Sequence, residues 1–174
     1  LSSLEGAVLT LRTSGDKTVH ARSHDVSTVS TDSALAALGT AVAVASQNLS
    51  ARAGVDGTVD TDGPLVHLDA QLTDDARATA SGGTGGALAV SLAQRTTESG
   101  LGQDAVLHAA GGGTTDLAVD STSDTATEGG ARSALAGGET LVVVVTDTSN
   151  TAALGDGARV VGAHDVTITA ATTD

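Results

Sequence analysis

Leu141-Val142-Val143-Val144-Val145-Thr146-Asp147-Thr148-Ser149-Asn150-Thr151-Ala152-Ala153-Leu154-Gly155-Asp156-Gly157-Ala158-Arg159-Val160-Val161-Gly162-Ala163-His164-Asp165-Val166-Thr167-Ile168-Thr169-Ala170 decides how the rest of the chain is read. It opens on an apolar run, crosses a polar stretch to Asn150, and turns at Leu154-Gly155-Asp156-Gly157. A short strand follows at Ala158–Val161, then a second turn around Gly162–Asp165. Val166, Ile168 and Ala170 share one face of the closing strand, and Thr167 and Thr169 the other. That period of two marks a half-buried strand.

The same plan recurs upstream. Gly15-Asp16 and His24-Asp25-Val26 have the separation of Gly155-Asp156 and His164-Asp165-Val166, which reads as an internal repeat. A second copy has its apolar run at Ala41–Ala45, its turn at Val55-Asp56-Gly57 and its closing strand at Leu65–Ala70. A third has Ala87–Leu92, Leu101-Gly102-Gln103-Asp104 and Leu117–Asp120. The turns at Asp16, Asp56, Gln103 and Asp156 lie 40, 47 and 53 residues apart, the uneven spacing that loop insertions give a solenoid. Repeats are placed at about 1–40, 41–86, 87–140 and 141–174 of one repeat domain, with Ala7–Leu11 a strand of the first. Ala78–Gly86 and Thr125–Gly130 are read as corners with an additional strand. Ser33–Leu38 and Arg132–Ala136 are read as short helical turns or strands at corners.

Composition agrees with a narrow interior. The 174 residues include no Phe, Tyr, Trp, Met or Cys, and Ile168 is the single isoleucine. Aromatic rings supply much of the buried area of an ordinary core. Here Ala, Val and Leu must fill it, which suits a thin section repeated along an axis. One repeat cannot cover its own apolar face, and stacking successive coils does so. The expected fold is therefore all-β, a right-handed parallel β-helix (β-solenoid), with an antiparallel β-sandwich as the alternative. If a repeat makes two coils, the chain has roughly seven coils and a length of about 35 Å. Inward positions are expected to be Val, Leu, Ile and Ala, and outward ones Thr, Ser, Asp and Arg.

Charge narrows the partners. Twenty-one acidic residues against eight Lys and Arg give a formal charge of −13. Nucleic acid needs a basic surface, so it is not an expected partner. Anionic membranes are disfavoured on the same ground, and the longest apolar run, Leu141–Val145, is far short of the ~20 residues of a membrane helix. Without cysteine there is neither a disulfide framework nor a thiolate metal site. The chain starts without Met or a charged-then-apolar leader, which reads as an excised or mature piece.

Leu154–Ala170 resembles the repeat unit of very large bacterial filamentous-haemagglutinin-like and leukotoxin-type surface proteins. Their repeats pair an "IGDGA" turn with a "GDVTVSA"-like strand after an "NTT"-like stretch, matched here by Thr148–Thr151 and loosely by Arg95–Glu98. The resemblance is carried by Leu141–Asp174 and, more weakly, by Leu88–Val119. Lys17 and Gln103-Asp104 depart from the turn pattern. The resemblance implies export, a right-handed β-helix, and a part in attachment or as a stalk.

Candidate sites were weighed against plainer readings. Asp60, Asp62, Gly63 and Asp69 partly match a calcium loop, but Thr58 holds the first ligand position and no helix flanks it; the plainer reading is a corner before a strand. No tandem Gly-Gly-x-Gly-x-Asp nonapeptide is present, which argues against a calcium-binding β-roll. His20 and His24 have a metal-ligand spacing without a third ligand, and His67, His108 and His164 are isolated; all five are read as turn or surface histidines. Gly111–Gly113 and Gly82–Gly86 match neither a dinucleotide fingerprint nor a P-loop and are read as corners. No G-x-S-x-G elbow occurs. Asp74-Asp75 could serve a polysaccharide hydrolase, but such enzymes grip sugars with aromatic rings, and the pair is read as a solvated corner. Asn48-Leu49-Ser50 is a glycosylation sequon only in a eukaryotic secretory setting.

No catalytic, cofactor or metal residue is assigned. The expected function is a non-catalytic stalk or adhesion segment of a secreted or cell-surface bacterial repeat protein. Its expected partners are a surface receptor or glycan, and further coils of its own solenoid at both ends. The alternatives are a carbohydrate-active β-helix enzyme and a calcium-dependent extracellular module. An ice- or mineral-binding surface would need flat Thr ladders, and Ala171 breaks the row begun by Thr167 and Thr169.

Overall fold

Small apolar residues alternate with polar ones through most of residues 65–82, interrupted at Asp74, and the chain there is one long extended strand whose alternate residues are buried. A computed structural model describes residues 2–4, 17–32, 40–82, 85–110, 113–133 and 138–173. Its strands are β1 (Ser2–Leu4), β2 (Lys17–Asp32), β3 (Ala41–Val55), β4 (Thr58–Thr61), β5 (Leu65–Gly82), β6 (Ala87–Leu101), β7 (Val106–Ala109), β8 (Thr115–Ser133), β9 (Thr140–Leu154), β10 (Arg159–Val161) and β11 (Ala163–Thr173). No described residue is helical.

Every strand pairing is parallel. The order is β1-β3-β6-β9 in the first sheet, β4-β7-β10 in the second and β2-β5-β8-β11 in the third. The chain visits the sheets in rotation, so β3-β4-β5, β6-β7-β8 and β9-β10-β11 are successive coils. This is a parallel β-solenoid, and the antiparallel sandwich is excluded.

One repeat makes one coil, not two. Strands of 15 to 19 residues at ~3.3 Å per residue run about 50–60 Å, while coils advance by only ~4.8 Å. The described part is therefore wider across its section than it is tall.

Register also corrects the repeat alignment. Leu4, Val55, Leu101 and Leu154 occupy one column. Gly102 N donates to Val55 O and Gly155 N to Leu101 O, so the turns after Val55, Leu101 and Leu154 stack. Leu4 therefore holds the column that Leu154 holds just before Gly155-Asp156, and by that register Gly15-Asp16, itself outside the described residues, is not the counterpart of Gly155-Asp156. Likewise Val166 shares the column of Leu117, Val66 and Lys17, not that of Val26. The apparent repeat is a coincidence of short Gly-Asp and His-Asp dipeptides. Ala7–Leu11 and Ser33–Leu38 lie outside the described residues, as do residues 134–136. Thr125–Gly130 is no corner but the continuation of β8, and Ala78–Gly82 ends β5. The turn to β6 falls at Gly85-Gly86, where φ at Gly86 is +103° and a Cβ would lie 2.5 Å from Glu139 O.

The interior is a wedge. At its wide end, closed by the short sheet, Val55, Leu68, Leu101, Leu107, Leu117 and Val119 form the main cluster. At its narrow end the two long sheets meet on Ala41, Ala43, Ala45, Ala78, Ala80, Ala87 and Ala89. That thinness overturns one expectation. Register sets Val42, Leu88 and Leu141 in one outward column, and Val44, Val90 and Val143 in the next. Val44 and Leu141 are 51% and 58% exposed. In β3 and β6 the larger residues stand outside because the gap admits only small ones, and where β9 turns Val142 inward the residue opposite is glycine: a Cβ on Gly129 would come within 2.6 Å of Val142 Cγ1.

Candidate functional site

Parallel in-register stacking brings side chains far apart in sequence to within a hydrogen bond of one another. Beside the short sheet, Asp60, Thr61, Asp62, His108 and Ala110 line an open groove of about 430 Å³. Asp60 and His108 are register partners on β4 and β7, with His108 Nδ1 3.4 Å from Asp60 Oδ1. Thr61 is held below the groove floor, its Oγ1 accepting from Gly63 N at 3.1 Å. A carboxylate beside an imidazole is chemically able to exchange a proton with a bound hydroxyl, and the groove has no Phe, Tyr or Trp to stack on a sugar.

Asp69 does not join this groove. It lies on β5, 4% exposed, and Gln71 Nε2 donates to its Oδ2 at 2.9 Å. The structure therefore brings Asp60 and Asp62 together but not the third carboxylate of the calcium pattern.

The histidines are not isolated. His67 Nε2 is 2.8 Å from Asp120 Oδ2 on the next coil. His164 Nδ1 is 3.2 Å from both Asp116 Oδ1 and Asp165 Oδ2. Asp116, His164 and Asp165 offer ligand atoms within 4.8 Å of one another, all on the exposed surface. A register shift between Ala163 and Val166 turns this segment outward beside β8. His20 and His24 stand in register with Asp69 and Thr73; their side chains lie outside the described residues.

Asp74 is the clearest correction. It lies in the middle of β5, its side chain wholly buried, in an ion pair with the Nε of Arg95 on β6, itself 1% exposed. Arg95 Nη2 also donates to Ala126 O at 2.9 Å and Thr127 Oγ1 at 2.8 Å. Only Asp75 faces out, 3.2 Å from Arg77 Nε, which also reaches Glu128 at 3.4 Å. Outward columns of β5, β8 and β11 mix charge with Thr: Asp69, Asp120 and Thr169 share one, and Gln71, Thr122 and Ala171 the next. No regular Thr ladder forms among the described residues.

No protein-family model, curated protein or solved structure matches the chain.

Proposed function

We propose that the chain is a non-catalytic structural segment of a secreted or cell-surface bacterial repeat protein, a piece of a stalk that holds more distal parts away from the cell. The observation that supports this reading is the open last coil. Among the described residues, β9, β10 and β11 each bond on one side only. Val144 and Ile168 occupy inward columns yet are both 44% exposed, whereas Leu117 and Val119 in the coil beneath are at most 1% exposed. A further parallel coil covers such an end, and a rod results from the repetition. The resemblance of Leu154–Ala170 to filamentous adhesin repeats points the same way, with a receptor or glycan contacted through exposed faces.

Far-UV circular dichroism tests this first. The expected result is a β spectrum with cooperative melting, unchanged by millimolar calcium. A disordered spectrum that becomes β only on adding calcium would replace the stalk with a calcium-dependent module. Adhesion is tested separately, by the retention of chain-coated beads on a panel of cell surfaces and glycans.

The Asp60–His108 groove favours one other reading, a carbohydrate-active β-solenoid enzyme. On that reading the chain releases reducing ends from an uncharged polysaccharide, and Asp60→Asn and His108→Ala each abolish release. Absence of release across a polysaccharide panel leaves the stalk reading in place.

A further inference from the structure

Between the wide apolar end and the narrow alanine end, the third coil changes character. Ala53 packs on Ala70 across the interior. One coil along the axis the same two columns carry Ser99 and Ser121, and the columns beside them, Ala51 and Leu72 below, carry Thr97 and Ser123. All four hydroxyl residues are at most 1% exposed. Ser121 Oγ donates to Asn150 Oδ1. The hydroxyls of Thr97, Ser99 and Ser123 have no hydrogen-bond partner among the described residues. Leaving three buried hydroxyls bare costs a sizeable part of what holds a small domain together, and an interior of alanines offers little to offset it.

Asn150 shows what spans the gap. It stands directly above Thr97 in the same column. Its carboxamide crosses the interior to Ser121, with Nδ2 donating to Ser121 O at 3.2 Å and to Ala171 O at 2.6 Å. Thr97, with the shorter side chain in that column, has no hydrogen-bond partner for its hydroxyl among the described residues. A buried water needs two to four polar partners.

We propose that the third coil binds an ordered internal water held by the hydroxyls of Thr97, Ser99 and Ser123, a hydration site between the two long sheets. Each hydroxyl both donates and accepts, so three of them fall within the two to four partners that a buried water takes. The site belongs to the interior and does not depend on what the outer surface contacts.

Magnetic relaxation dispersion of water ¹⁷O and ²H counts long-lived internal waters and tests this. The parent chain is expected to show at least one that a variant carrying Thr97→Val, Ser99→Ala and Ser123→Ala lacks. Thr97→Asn is expected to expel the same water while keeping the parent melting temperature, because its amide takes the water's place as Asn150 does. Thr97→Val alone is expected to lower the melting temperature, since the water loses a partner. Equal dispersion in the parent and the triple variant would overturn the proposal. So would a rise in melting temperature for Thr97→Val, the result that deleting a bare hydroxyl from a dry interior gives.

Discussion

Asp74 and Arg95 are 21 residues apart in sequence and belong to different sheets, and they meet where neither has water. Two ions removed from solvent recover little net energy from each other, but losing one partner leaves the other bare. Arg95→Ala is therefore expected to lower the unfolding free energy by about 3–5 kcal/mol. Arg95→Met combined with Asp74→Leu should restore most of it. Urea denaturation of the single and double variants checks both, and equal losses in the two would show that the pair's packing matters more than its charge. The burial of Asp74 was legible in principle. Leu72, Asp74, Ala76, Ala78 and Ala80 form one period-two row, which puts Asp74 inward and Asp75 outward. Reading Asp74-Asp75 as a unit, as one reads a helix or a corner, hid that. The Asp60–His108 contact was out of reach for a different reason. The column offset between coils is 46 at Val55–Leu101, 48 at Thr58–Val106 and 51 at Leu65–Asp116. A uniform repeat of 47 misplaces His108 by one residue, and one residue turns a side chain to the opposite face.

At the scale of elements, strands were easier to see than corners. Val166–Ala170 and Leu117–Asp120 alternate plainly, and both are strands. Thr125–Gly130 contains two glycines, yet it continues β8, because the register with β5 holds through Gly129 and Gly130. Glycine there serves closeness of the sheets, not a bend, whereas Gly86 serves the bend itself. Gly86→Ala is expected to cost about 1–3 kcal/mol, since φ is positive and the added methyl meets Glu139 O. Gly130→Ala, at an extended position with only Thr79 Cγ2 at 3.7 Å, should cost much less. Thermal melts of the two variants compare them directly, and similar losses would argue against the placement of the corner at Gly86. Hydrogen exchange supplies the element-level test of stacking. Central strands β5, β6, β7 and β8 bond on both sides, while β9, β10 and β11 bond on one. Amides of β6 and β8 should exchange with the free energy of global unfolding. Those of β9 and β11 should open locally and much faster. Uniform protection across all the coils would mean that the last coil is covered.

For the whole molecule, two features act against each other at the open end. A formal charge of −13 repels one copy from another. Against it, β9 and β11 present 15 and 11 residues of strand edge, with Val144, Val166 and Ile168 facing into space. Among the described residues, β2 and β4 at the opposite side of the stack also bond on one side only. All pairings are parallel, so one copy translated along the axis keeps the polarity of its neighbour. Such a contact is head-to-tail and does not close, which gives rods, not rings. Repulsion between separate surfaces is screened by salt, with a Debye length of about 10 Å at 0.1 M and about 3 Å at 1 M. Backbone pairing and apolar contact are not screened. The isolated chain is therefore expected to sediment as one species at low salt and as a growing series of end-joined species near 1 M. Val144→Lys with Ile168→Lys places two charges in the inward columns of the open coil, the device by which natural edge strands refuse partners. That variant should remain a single species at every salt concentration. If it associates as readily as the parent, the copies meet elsewhere, and the outward row of Val44, Val90 and Val143 becomes the surface to change next.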